Sequence, residues 1–101
     1  MVIINQTFNV EQPILKHWLD WLKNTYIPEV MASGVFTDHK TMRLLSEDPL
    51  NGETFAVQFT MPSATYISIS ENDLMDKYET LARKNFGDKV LFFRTVLELV
   101  N

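Results

Sequence analysis

An imidazole is the side chain most used for proton transfer near neutral pH, and this chain has two, His17 and His39. His39 stands between Asp38 and Lys40 on a stretch that alternates like a strand. Its neighbours therefore point to the opposite face, and it acts alone, as a general base or, more plainly, as a solvated strand residue. His17 meets nothing four residues on except Trp21. A metal centre wants three or four clustered ligands at spacings such as His-Glu-x-x-His. Neither histidine has them, so no metal is expected. Arg43, Gln58 and Arg94 are polar residues set within strand-like stretches. A strand arginine among apolar neighbours needs a carboxylate partner or a bound anion. Arg94, between Phe92 and Val96, is the more suggestive; its plainer reading is an ion pair or a subunit contact. Trp18 and Trp21 offer a wall for a flat ligand, against the simpler reading that two large rings fill the core. Together with Tyr26, the residues His39, Arg43, Gln58, Arg94, Trp18 and Trp21 form the candidate ligand-binding set.

Other chemistries have no residues to carry them. There is no cysteine, which removes disulfides, thiolate metal sites and thiol nucleophiles and fits a reducing compartment. Gly34, Gly52 and Gly87 are isolated, so no phosphate-cradling loop exists, and no Gly-x-Ser-x-Gly elbow is present. No cofactor is expected.

The elements that must position these side chains follow from periodicity. Val2 to Val10 alternates, with Val2, Ile4, Phe8 and Val10 on one parity and Gln6 between them, as a half-buried strand does. Pro13 suits the first turn of a helix. From Pro13 to Tyr26, Ile14, Leu15, Trp18, Leu19, Trp21, Leu22 and Tyr26 fall on one broad arc. Ile27 breaks that arc and Pro28 removes a helix N–H, so a kink or a new short turn is expected there, closed by Gly34. Val35 to Ser46 reads as a second strand, with Phe36, Met42 and Leu44 on one face and His39, Thr41 and Arg43 on the other. Asp48-Pro49-Leu50-Asn51-Gly52 is a turn. Thr54 to Met61 is the cleanest strand, and Pro62 ends it. Ser63 to Ile69 has strand-like propensity. Ser70 caps a helix that runs to Phe86 and stops at Gly87. Asp88 to Val100 is a last strand, apolar on both parities and so covered on both faces.

The order β-α-β-β-α-β is the ferredoxin-like pattern: an α+β fold whose four-stranded antiparallel sheet runs 4-1-3-2 with two helices on one face. A chain of 101 residues makes one such domain, spanning 1–101. The hydrophobic share of 46% and charged share of 22% are those of a globular protein. A net charge of −4 repels a phosphate backbone, so nucleic acid is not an expected partner. No apolar run approaches a bilayer span and no signal peptide is visible, so a cytoplasmic protein without membrane contact is expected.

Trp18-Leu19-Asp20-Trp21-Leu22-Lys23, Ile27-Pro28-Glu29-Val30-Met31, Gly34-Val35-Phe36-Thr37, Phe86-Gly87-Asp88-Lys89 and Phe93-Arg94-Thr95 resemble a family of short bacterial proteins, domain of unknown function 4286. The resemblance covers nearly the whole chain and implies a branch of the dimeric alpha-beta barrel superfamily, whose members pair two ferredoxin-like sheets. It also implies a helix at Ser63 to Ile69. Members of the family often carry a histidine just before the Ile-Pro pair; Tyr26 stands there in this chain, which weakens a catalytic role built on that histidine. The expectation is a homodimer, pairing sheet face to sheet face, with a small organic ligand held between helices and sheet. The rival is a cofactor-independent enzyme of the monooxygenase or isomerase type, acting on small organic molecules.

Overall fold

The computed structural model describes residues 1–45 and 52–101. The expected Asp48 to Asn51 turn lies outside the described residues. Gly52 lies within them, at φ 86°, where an added Cβ would meet the Val10 carbonyl oxygen. Four strands, β1 (Val2–Val10), β2 (Asp38–Arg43), β3 (Glu53–Met61) and β4 (Val90–Glu98), form one antiparallel sheet in the order β2-β3-β1-β4. This is the expected 4-1-3-2 order read from the other edge. The helices pack on one face.

The first strand shows why. Val2, Ile4, Gln6, Phe8 and Val10 are all buried, while the intervening residues are only partly so. In β3 the matching parity, Phe55, Val57, Phe59 and Met61, is buried as well. Helices must therefore close over this side. Phe8 is the hub, with ring centroids 5.2 Å from Trp18 and 5.0 Å from Phe92.

The first helical stretch departs from a simple helix. A 3-10 turn at Gln12–Ile14 leads into α1 (Leu15–Trp21), a π turn (Leu22–Tyr26) and α2 (Ile27–Met31). The Ile27 amide donates to the Leu22 carbonyl, one residue further back than in an α-helix. Pro28 has no N–H to offer the Asn24 carbonyl. The chain answers with a change of hydrogen-bonding pattern, and helical structure continues to Met31.

Two expected strand boundaries are corrected. The second strand is Asp38–Arg43, shorter than Val35 to Ser46, and Phe36 does not share a face with Met42 and Leu44. Phe36 sits ahead of the strand in the core, 5.3 Å from the Phe59 ring, while Met42 and Leu44 are exposed on the other face. The last strand starts at Val90, after a 3-10 turn at Gly87–Lys89.

Residues Ser63–Ser68 form α3, as the family resemblance implied and against their strand-like composition. The Pro62 carbonyl accepts the Tyr66 amide at 3.1 Å, and the Ser68 hydroxyl bonds the Thr65 carbonyl at 2.9 Å. Local bonding of this kind outweighs a weak strand propensity. Next comes α4 (Glu71–Phe86), with the Ser70 hydroxyl accepting from the Asp73 amide.

Candidate functional site

Gln6 is the one polar residue in the inward row of β1, and it is fully buried. A buried amide needs partners, and it has them from two helical segments. The Tyr26 hydroxyl donates to Gln6 Oε1 at 3.0 Å, and Gln6 Nε2 donates to Glu79 Oε2 at 2.8 Å. Arg94 of β4 completes the chain. Its Nη1 donates to Glu79 Oε1 at 3.1 Å, its Nε lies 3.0 Å from Glu71 Oε2, and its Nη2 donates to Asn72 Oδ1 at 2.6 Å. Burial pushes the Tyr26 hydroxyl well above the usual phenol range. It is a neutral donor, held in place. Trp21 stacks on Tyr26 with centroids 4.9 Å apart. Trp18 is wedged between Phe8 and Phe55 and is fully buried. The two indoles are packing surface for the chain's own rings.

His39 lies elsewhere. By register it opposes Phe59, and Thr41 opposes Val57. Both therefore face the helical side, but at the outer edge of the sheet. There they meet Leu19, Asp20, Leu22, Lys23 and Ile27 across a groove of about 430 Å³. The π turn supplies Leu22 and Lys23, and Ile27 follows it directly. Leu19, Leu22 and Ile27 make the lining apolar, and Lys23 and Asp20 make it polar at the rim.

Arg43 shares the helical side of β2. Its guanidinium sits 5.6 Å above the Phe55 ring and 3.6 Å from Glu53 Oε2, largely in solvent. Gln58 is on the opposite face, where its Nε2 donates to Asn5 Oδ1 at 3.2 Å. The candidate residues thus divide. Tyr26 and Arg94 join through Gln6 and Glu79, Trp21 stacks on Tyr26, Trp18 packs between Phe8 and Phe55, His39 enters the groove, Arg43 holds an edge ion pair, and Gln58 looks the other way. Among the described residues no group of three or more His, Asp or Glu is placed to hold a metal.

The face away from the helices has its own order. Rows of residues cross the sheet: Met42, Ala56, Thr7 and Phe93 in one, and Lys40, Gln58, Asn5 and Thr95 in the next. Asn5 Nδ2 donates to the Thr7 and Thr95 hydroxyls at 3.2 Å each. Around this polar centre the apolar residues are bare: Leu91 is 63% exposed, Phe93 60% and Leu97 44%. A hollow of about 430 Å³ lies here too, lined by Thr7, Asn9, Leu44, Thr54, Leu91 and Phe93 among others.

Sequence reasoning passed over Gln6, Glu79, Glu71 and Asn72. The signal for Gln6 was present, since a glutamine at a buried parity demands a partner. Glu79 carried one as well, falling between Met75, Tyr78 and Ala82 on the buried face of α4. Glu71 and Asn72 were absorbed into a reading as a helix start, which hid their second role at Arg94.

The architecture is that of a ferredoxin-like α+β protein with one covered and one uncovered sheet face. The chain belongs to the family described as Domain of unknown function (DUF4286), whose model matches residues 1–100. No curated protein matches it. Among solved structures it is similar to a dimeric ferredoxin-like protein from an uncultured marine organism. The TM-score is 0.69 and the identity 9%, over 99% of this chain and 95% of that one. It is also similar to an ethyl tert-butyl ether d (ethd) family protein from Bacillus halodurans c-125, with TM-score 0.66 and 14% identity over 99% and 100%. HapK from Hahella chejuensis gives TM-score 0.65 and 10% identity over 99% and 93%. At such identities the likeness is one of fold.

Proposed function

We propose that the protein is a cytoplasmic homodimer whose two uncovered sheet faces meet, and that each protomer binds a small organic molecule in the groove between its first helical stretch and β2. The observation that carries the dimer is the bare apolar rim of Leu91, Phe93 and Leu97 on the face away from the helices. An exposed apolar patch of this kind marks an interaction site, and a twofold contact is the commonest way to bury one. The solved neighbour from the marine organism is itself described as dimeric. The Asn5-centred polar bonds would then lie within the interface, already satisfied inside each protomer. The net charge of −4 disfavours nucleic acid as a partner, and no helix among the described residues is long and apolar enough to cross a membrane.

The groove supports ligand binding because it is apolar in its floor and polar at its rim, the usual make-up of a small-molecule site. A second reading, a cofactor-independent monooxygenase or isomerase, is favoured by one observation: His39 lines that groove and is the side chain there suited to general acid–base work.

Sedimentation tests the dimer. The unmodified protein should sediment as a dimer at micromolar concentration, and Phe93→Glu should sediment as a monomer with unchanged far-ultraviolet circular dichroism. An unmodified protein that stays monomeric under those conditions refutes the pairing of faces.

A further inference from the structure

We propose that the groove beside β2 selects a small organic carboxylate, its acid group held at Lys23 and the open edge of β2 and its apolar body laid over Leu19, Leu22 and Ile27; this rests on reading the groove as the ligand site. The open edge follows from the register. The Leu44 amide donates to the Thr54 carbonyl at 2.9 Å, so the Leu44–Thr54 pair is a hydrogen-bonded one. In an antiparallel ladder such pairs alternate with pairs whose main-chain groups turn away. Met42 and Lys40 therefore point their N–H and C=O groups at β3. His39 and Thr41 point theirs outward, at an edge where no further strand pairs among the described residues. These are also the two β2 residues whose side chains face the groove. Among the described residues the rim thus presents main-chain amides and carbonyls without a strand partner, a hydroxyl and an imidazole beside an apolar floor.

Charge decides what such a rim accepts. Lys23 and Lys40 line the groove against one acid, Asp20, in a chain whose net charge is −4. Among the described residues neither lysine is in an ion pair. Lys40 belongs by register to the other face and meets the groove at the strand edge, which leaves Lys23 as the ammonium group nearest the apolar floor. Lys23 lies in the π turn, whose Leu22 and the following Ile27 line the groove with it. Such turns recur at functional sites. An organic cation would meet Lys23 head-on, and a neutral molecule would leave that charge unanswered. Against a groove of about 430 Å³, a single-ring or medium-chain acid is the size that fits.

The probes are octanoate, octanamide and octylamine, titrated into the ¹⁵N-labelled dimer and followed by backbone amide shifts. Octanoate should move the amides of residues 19–27 and 39–41, octanamide should bind about tenfold more weakly, and octylamine should leave those amides in place. Lys23→Gln should weaken octanoate about threefold to fivefold, the range of a solvent-exposed charge contact, while Lys84→Gln on α4 leaves it unchanged. Equal binding of octanoate and octanamide at these amides, or no loss in Lys23→Gln, overturns the carboxylate assignment and keeps the groove as a ligand site. If no probe moves the groove amides, the groove reading itself falls.

Discussion

At the level of single residues, Tyr26 is a strut between helix and sheet. Its hydroxyl, Gln6, Glu79 and Arg94 run from the first helical stretch through β1 to α4 and β4, so four elements share one set of polar bonds. Glu79 and Arg94 compensate each other, and removing one partner of a buried pair leaves an uncompensated charge. The sequence makes Arg94 visible as a residue in need of an anion. It does not show which anion, because Glu79 lies on a different element, fifteen residues away. The raised pKa of Tyr26 has a consequence for stability. The folded hydroxyl keeps its proton at a pH where the unfolded one, near 10, loses it. Stability from this group is therefore fully present below about pH 10 and falls above it, by up to about 1.4 kcal/mol per pH unit. Urea unfolding of the unmodified protein and Tyr26→Phe from about pH 8 to 11 checks this. The difference between them should shrink as the pH rises, and a constant difference contradicts the burial argument.

At the level of elements, the regular strands and α4 were legible because each rests on a strong local pattern. The parity of β1 and β3, the Ser70 cap and the Gly87 stop, at φ 59°, all agree with what the residues prefer. The π turn was legible only as a fault, the departure of Ile27 from the apolar arc. Periodicity reports that a helix has slipped in phase, but the hydrogen bond from Ile27 to Leu22 is what defines the slip. The Phe36 error has a similar cause. A strand period extended too far toward the N-terminus assigned it the face of Met42, whereas the chain enters the core before pairing begins. The Ser70 cap gives a direct test of how α4 is held. Ser70→Ala should cost about 1 kcal/mol, within the range for cap removal, as read from the urea midpoint. Ser70→Asp should restore most of that loss.

At the level of the whole molecule, the two-sided apolar character of the last strand anticipated a second cover, and the structure divides that character by parity. Val90 and Phe92 join the helix-side core, whereas Leu91, Phe93 and Leu97 stay on the open face. The element order and composition carried the fold class. They could not tell that Gln58 and Arg94 stand on opposite faces, because a parity has no absolute side until a helix covers it. If the open faces pair, folding and association are linked, and anything that binds only the folded chain raises its apparent stability by mass action. The melting temperature should rise with protein concentration, while that of Phe93→Glu should be lower and independent of concentration. Calorimetry over a hundredfold range of concentration decides the matter; a flat profile for the unmodified protein argues against the linkage.

The strand β1 is central in the sheet, yet both of its neighbours come from far along the chain. Val2 opposes Met61 on one side and Glu98 on the other, and the Leu99 amide closes the ladder on the Met1 carbonyl. A growing polypeptide therefore delivers β1 first and its last partner nearly at the end of the domain. Only the β2–β3 pair can form from nearby residues. Loop closure of this length must be met before the contacts reward it, and folds dominated by such distant pairings assemble slowly. Until β3 is made, Val2, Ile4, Phe8 and Val10 have no sheet to enter, and the other edge of β1 waits for β4. During that interval the nascent chain presents an apolar segment of the kind that chaperones recognise, and even after β3 has paired, β1 keeps one open edge until β4 leaves the ribosome.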